Sequence, residues 1–115
     1  MQFTPAKLEE KLVKFANEAD KLGLEYADLQ AKANIIIDRK DDFLAAITQK
    51  TDGSSHAEKE RNARLIPEWA TYQHGLSEAK NEALKSKIKY DTAKRNWETA
   101  RSLLSSLNTQ RRTYT

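Results

Sequence analysis

The sequence predicts an all-α fold: a long antiparallel two-helix hairpin, packed as a coiled coil and assembling further into a helical-bundle oligomer. Three observations predict it. Apolar residues recur every three or four positions along two long stretches, the spacing of a coiled-coil seam. The first stripe is Leu8, Leu12, Phe15, Ala19, Leu22, Tyr26, Leu29, Ala33, Ile36, Lys40, Phe43 and Ile47. The second is Leu65, Trp69, Tyr72, Leu76, Ala79, Ala83, Ser86, Tyr90, Ala93, Trp97, Ala100, Leu104 and Leu107. Only three Gly and two Pro occur in 115 residues, so little interrupts a helix. One short polar segment, Thr51-Asp52-Gly53-Ser54-Ser55, separates the stripes.

Thr4 and Pro5 open the first helix, Thr as its N-cap and Pro at the first helical position. Nothing stops that helix before residue 50, so 5–50 is one element of roughly 69 Å at about 1.5 Å per residue. Gly53 suits the left-handed residue that follows a helix end. Ser55 with Glu58 three residues on reads as a capping box. The loop is therefore 51–55, and short loops join antiparallel neighbours. The second helix spans 56–110, with a kink near Pro67, which removes a hydrogen bond inside the pattern. A competing reading ends a short helix at about residue 65 and starts a long one at Pro67. The polar tail beyond Gln110 is expected to fray.

The stripes also select a register. The first helix carries large residues at d (Leu8, Phe15, Leu22, Leu29, Ile36, Phe43) and includes Ala19 and Ala33 at a. The second reverses this, with Trp69, Leu76, Tyr90, Trp97 and Leu104 at a, and Ala79, Ser86, Ala93 and Ala100 at d. A hairpin centred on His56 pairs Phe43 with Trp69, Ile36 with Leu76, Leu22 with Tyr90, Phe15 with Trp97 and Leu8 with Leu104. Ala33 then meets Ala79, and Ala19 meets Ala93. Flanking charges agree, placing Lys32 by Glu82, Glu25 by Lys89 and Glu9 by Arg101. A slip of one heptad sets like charges together.

The chain is of one-domain length. Charged residues make up 32% and hydrophobic residues 38%, enough for narrow seams and too little for a thick core. There is no Cys, hence no disulfide framework and no thiolate metal site. No run approaches the roughly 18 apolar residues of a membrane span. Met1-Gln2-Phe3-Thr4-Pro5 lacks the pattern of a signal peptide. These readings predict a soluble cytoplasmic protein that has no membrane association. Residues 1–56 carry 8 Lys/Arg and 10 Asp/Glu, a net of −2. Residues 57–115 carry 12 and 7, a net of +5.

Catalytic chemistry finds little support. His56 and His74 are far apart, and a metal would need further ligands at matched spacing. Asp41-Asp42 and Glu9-Glu10 are adjacent pairs whose members point in different directions. No Gly-rich phosphate loop occurs, and no Ser, His and Asp set has a supporting local motif. The expectation is no enzyme, no catalytic residue, no metal and no cofactor. Lys40, at an a position facing Tyr72, reads as a lysine whose stem lies over the ring. Tyr26 facing Ser86 makes a polar-tipped layer.

Two surface features remain. Lys80, Lys87, Lys94 and Arg101 are seven apart, all at e, and form a basic line that could follow nucleic-acid phosphates. They belong to a wider basic cluster with Lys85, Lys89, Arg95, Arg111 and Arg112. The bland alternative for lysines on a long helix is a solvated face. Off the seam, Ile35, Ile37, Leu44 and Ile66 gather near the loop end and predict a partner or oligomer interface. Val13, Leu24, Leu84, Ile88 and Leu103 are further off-seam apolar residues.

Lys89-Tyr90-Asp91-Thr92-Ala93-Lys94, Trp97-Glu98 and Arg101-Ser102-Leu103-Leu104-Ser105-Ser106-Leu107 resemble small coil proteins of tailed phages. The resemblance covers roughly residues 80 to 112. It implies a cytoplasmic phage accessory factor, encoded beside genes of DNA recombination and annealing. The function expected is that of a non-catalytic accessory or adaptor protein that binds an unidentified protein partner and forms a homo-oligomer. The alternative is a DNA-binding accessory that uses the basic face of the second helix.

Overall fold

The computed structural model describes residues 4–114. Met1, Gln2 and Phe3, part of the segment read for a signal peptide, lie outside the described residues, as does the Arg112 side chain. The described chain is all-α: α1 (Pro5–Asp38), α2 (Lys40–Gln49), α3 (His56–Ala63) and α4 (Pro67–Tyr114). It divides into two compact units. Unit 1 joins Met1–Ala27 to Lys85–Thr115, and unit 2 is Asp28–Leu84. Each unit pairs a stretch of α1 with a stretch of α4, antiparallel. In unit 2, α2 also packs on α3.

Both stripes are buried or half-buried along their whole length, with two exceptions, Lys40 and Leu65. In unit 1 the ring centroids of Tyr26 and Tyr90 are 6.3 Å apart. Further along, Leu8, Lys11 and Phe15 share a surface groove with Asn96, Thr99, Ala100 and Leu103. Rising numbers on α1 thus meet falling numbers on α4, as the size-matched register requires. Leu8 is 1% exposed, and Ala93 and Ala100 are buried where the register sets small residues. In unit 2 the expected layer partners Phe43 and Trp69 stack, with centroids 6.3 Å apart. Ala33 is fully buried. The three expected inter-helix ion pairs do not form, and the ion pairs among described residues at His56–Glu60, His74–Glu78 and Lys94–Asp91 lie along single helices. Exposed pairs gain at most about 1 kcal/mol and lose side-chain entropy, so apolar packing sets the register.

The first correction concerns the helix expected over 5–50. It breaks at Arg39, between α1 and α2. Here the Tyr72 hydroxyl donates to the Ile36 carbonyl, the acceptor that Lys40 N–H would use in an unbroken helix. A side chain entering the ladder is a common cause of such a break. Lys40, beside the break, is exposed. The Tyr72 ring stacks on Phe43, at 4.7 Å and 16°.

The second correction concerns Pro67. The kinked helix over 56–110 is instead two helices, because α3 ends at Ala63 and α4 begins at Pro67. Tight three-residue bonds from Leu65 N–H to the Asn62 carbonyl (3.1 Å) and Ile66 N–H to the Ala63 carbonyl (3.3 Å) close α3. Proline disfavours helical backbone in the residue before it and suits the first helical position. The junction leaves Leu65 82% exposed rather than in the seam. At the other end, α4 stays helical to Tyr114, past the fraying expected after Gln110.

The caps are partly as read. Thr4 Oγ1 accepts from Lys7 N–H at 3.3 Å. Ser55 Oγ accepts from Glu58 N–H at 3.2 Å and caps α3. The Glu58 carboxylate, however, reaches Ser54 rather than Ser55, accepting from its N–H at 3.2 Å and from its hydroxyl. Gly53 does not adopt positive φ. It is required for close approach, since a Cβ there would lie 2.9 Å from the Lys59 backbone nitrogen. Asn62 ties the connection down by donating to the Asp52 carbonyl at 3.0 Å.

Candidate functional site

The basic line is the first candidate. In unit 1, Lys87, Lys94 and Arg101 are exposed along α4, one heptad apart. Lys80 is likewise exposed but belongs to unit 2. Two of the three side chains in unit 1 are engaged locally. Lys94 Nζ lies 3.5 Å from Asp91 Oδ1 and 4.5 Å above the Tyr90 ring centroid. The Arg101 guanidinium lies 5.0 Å from the Trp97 ring centroid. Both rings are half-buried seam residues. Cations i+4 from aromatic seam residues therefore cover the outer ring surface, with their stems along the helix.

Position along the helix adds a second constraint. Asp91 and Glu98 fall between the cations, so 87, 91, 94, 98 and 101 alternate in sign at steps of four and three. Alternation along one helix face is typical of a solvated, ion-paired surface. A phosphate-tracking surface instead accumulates positive charge. The line by itself therefore supplies a weak field, and its aromatic neighbours are not free to stack on bases. Unit 1 as a whole still carries 12 Lys/Arg against 7 Asp/Glu.

The loop-end cluster is the second candidate, and unit 2 divides it. Leu44 and Ile66 are partly buried against the core of Ile47, Ala63 and Trp69, so they stabilise this unit rather than form an open interface. Ile35 and Ile37 remain 50% and 38% exposed. Leu65 and Leu84 join them as uncovered apolar side chains of unit 2. Its spacing predicts Leu65 in the seam, and no local signal marks it as exposed. The cause is the α3–α4 junction.

An aromatic group also lies in unit 2. Phe43, Trp69 and Tyr72 stack pairwise, with Trp69–Tyr72 centroids 5.6 Å apart at 20°. Phe43 and Tyr72, with Pro67, Glu68 and Thr71, line a shallow depression. Burial, and secondarily the charge of Asp41, raise the Tyr72 hydroxyl above its ordinary pKa. Hydrogen bonds from the Ser54 hydroxyl and then its N–H hold Glu58 below the usual carboxylate value. The two histidines each face a glutamate one turn on, His74 Nε2 at 2.9 Å from Glu78 and His56 Nε2 at 3.8 Å from Glu60. Among the described residues no group of three or more His, Asp or Glu is placed to hold a metal ion. Nor is any helix long and apolar enough to cross a membrane. No protein family, curated protein or solved structure matches the chain.

Proposed function

We propose that this is a non-catalytic accessory or adaptor protein that acts by protein–protein binding, including association with its own copies. The observation that carries the reading is the distribution of apolar side chains. The seams absorb the aromatic residues of both stripes, while Ile35, Ile37, Leu65 and Leu84 stay uncovered in unit 2. Large apolar side chains left uncovered by the fold are what a partner or a second copy would bury. The resemblance of residues 80 to 112 to small coil proteins of tailed phages supports a cytoplasmic role beside DNA recombination. Sedimentation at rising concentration, with cross-linking in the native host, tests the proposal. Assembly, or a cross-linked partner, that is lost in Ile35→Lys/Ile37→Lys supports it. A strict monomer with no cross-linked partner would overturn it.

DNA contact through Lys87, Lys94 and Arg101 of unit 1 is the second reading, favoured by the net charge of +5 in that unit. The interleaved Asp91 and Glu98 oppose it. A gel shift with single- and double-stranded DNA decides: no shift at low salt removes this reading.

A further inference from the structure

We propose that the aromatic depression of unit 2 receives an arginine side chain of a partner protein, held against the Phe43–Tyr72 stack and paired with the Glu68 carboxylate. The assignment rests on the protein-binding reading and gives the partner's chemistry.

The depression measures about 380 Å³ and is lined by Phe43, Pro67, Glu68, Thr71 and Tyr72. Small-molecule pockets span roughly 300–1,000 Å³, so this one suits a single long side chain. Phe43 and Tyr72 are only half-buried and keep surface open to the depression. An aromatic face is electronegative and attracts cations. Glu68 is exposed and makes no ion pair or side-chain hydrogen bond in the structure. Asp41 adds a second negative charge, near enough to act on the Tyr72 hydroxyl.

Charge complementarity selects the occupant. An anion would meet the Glu68 carboxylate in the lining, with Asp41 adding to the negative field at Tyr72. A purely apolar group would strip water from Glu68 and return no partner. The N-terminus of α4 carries about half a positive charge, which the full charge on Glu68 outweighs. Among cations, the planar guanidinium can stack on a ring and present its fork to a carboxylate together, which an ammonium cannot. Unit 2 has the matching balance, 10 Asp/Glu against 8 Lys/Arg.

The test uses the full chain with Trp97→Phe, which leaves Trp69, a member of the aromatic group, as the one fluorophore of its kind. The probe is the blocked tripeptide acetyl-Gly-Arg-Gly-amide, with the neutral citrulline peptide as control. A saturable change in Trp69 emission with the arginine peptide alone, weakened about fivefold by Glu68→Gln, is expected. A purely structural role of Glu68 in starting α4 would alter the melting temperature without altering the choice of arginine over citrulline. Absence of saturable change up to millimolar peptide, an equal response to citrulline, or an unchanged affinity in Glu68→Gln would overturn the assignment. So would dissociation of a self-assembled form by the peptide, because the occupant would then be an arginine of a second copy. A null titration leaves the adaptor reading standing, since that reading fails only on the sedimentation and cross-linking results.

Discussion

In unit 2 the rings of Phe43, Trp69 and Tyr72 stack on one another. In unit 1 the rings of Tyr90 and Trp97 are instead each overlain by a cation from their own helix. Both units apply the same heptad seam. Unit 1 has two helical stretches, so an aromatic residue in its seam keeps an outer surface, which a long amphipathic side chain covers. Unit 2 has α2 and α3 as well, and Ile47, Ala63 and Trp69 form a core with Phe43, Leu44, Ile66 and Tyr72 around it. The difference teaches that a basic line can be a structural consequence of a thin seam. Aromatic residues in a thin seam recruit cations, whether or not a polyanion is ever bound.

The largest expected effect separates the two tryptophans. Trp69→Ala should cost about 3–5 kcal/mol, the usual range for a buried aromatic, because Trp69 is 8% exposed. Trp97→Ala, at a half-buried position, should cost about 1–2 kcal/mol. Urea unfolding of both variants checks this, and equal losses would break the contrast between the units.

A smaller effect tests the helix break. Tyr72→Phe removes the bond to the Ile36 carbonyl and should cost about 1 kcal/mol, while slower amide exchange at Lys40 reports closure of the ladder. The same variant changes the alkaline limb. The raised pKa of Tyr72 means that its stabilising contribution is full below the ordinary value of 10.0 and is lost as pH rises through the raised one. Stability of the parent should therefore fall faster above that pH than stability of Tyr72→Phe.

Two glycines sharpen the comparison further. At Gly75, in unit 2, an added Cβ meets nothing within 4 Å. Gly75→Ala should stabilise by about 0.5–1 kcal/mol, the helical penalty of glycine. At Gly23, in unit 1, the added Cβ would lie 3.0 Å from Tyr90 Cε1. Gly23→Ala should lack that gain, because the Tyr90 ring must give way by a few tenths of an ångström within the seam. Melting temperatures of the two variants decide.

The smallest effect is at the cap of α3. The depressed pKa of Glu58 gives stability that is present above the ordinary value of 4.5 and is lost as pH falls through the lowered one. Acid titration of Glu58→Gln should show a shallower loss than the parent, and identical curves would remove the Ser54 contact as a stabilising element.

Much of the architecture was legible. Period, size matching and N-caps act over a few residues or along one helix, so Leu8, Ala33, Trp69 and Ala93 could be placed from spacing alone. Lys40 and Leu65 depart from the predicted seam because each borders a helix break. At Arg39 the agent is Tyr72, 33 residues away in sequence, and no local pattern at Arg39 announces it. The candidate sites were less legible. The sign alternation along 87–101 is written in the sequence, yet the covering of Tyr90 and Trp97 depends on side-chain conformation. Leu44 and Ile66 could not be told from Ile35 and Ile37, since all four lie off the seam and only the packing of α2 on α3 separates them.

The sequence by itself determined the helical class, the antiparallel pairing and the seam residues other than Lys40 and Leu65, because side-chain periodicity and size matching follow directly from helix geometry. The tertiary structure alone decided where the helices break, that Gly53 serves close approach rather than a left-handed turn, and which off-seam apolar residues remain open. Those outcomes depend on contacts between residues distant in the chain, whose partners are specified only once the helices have packed.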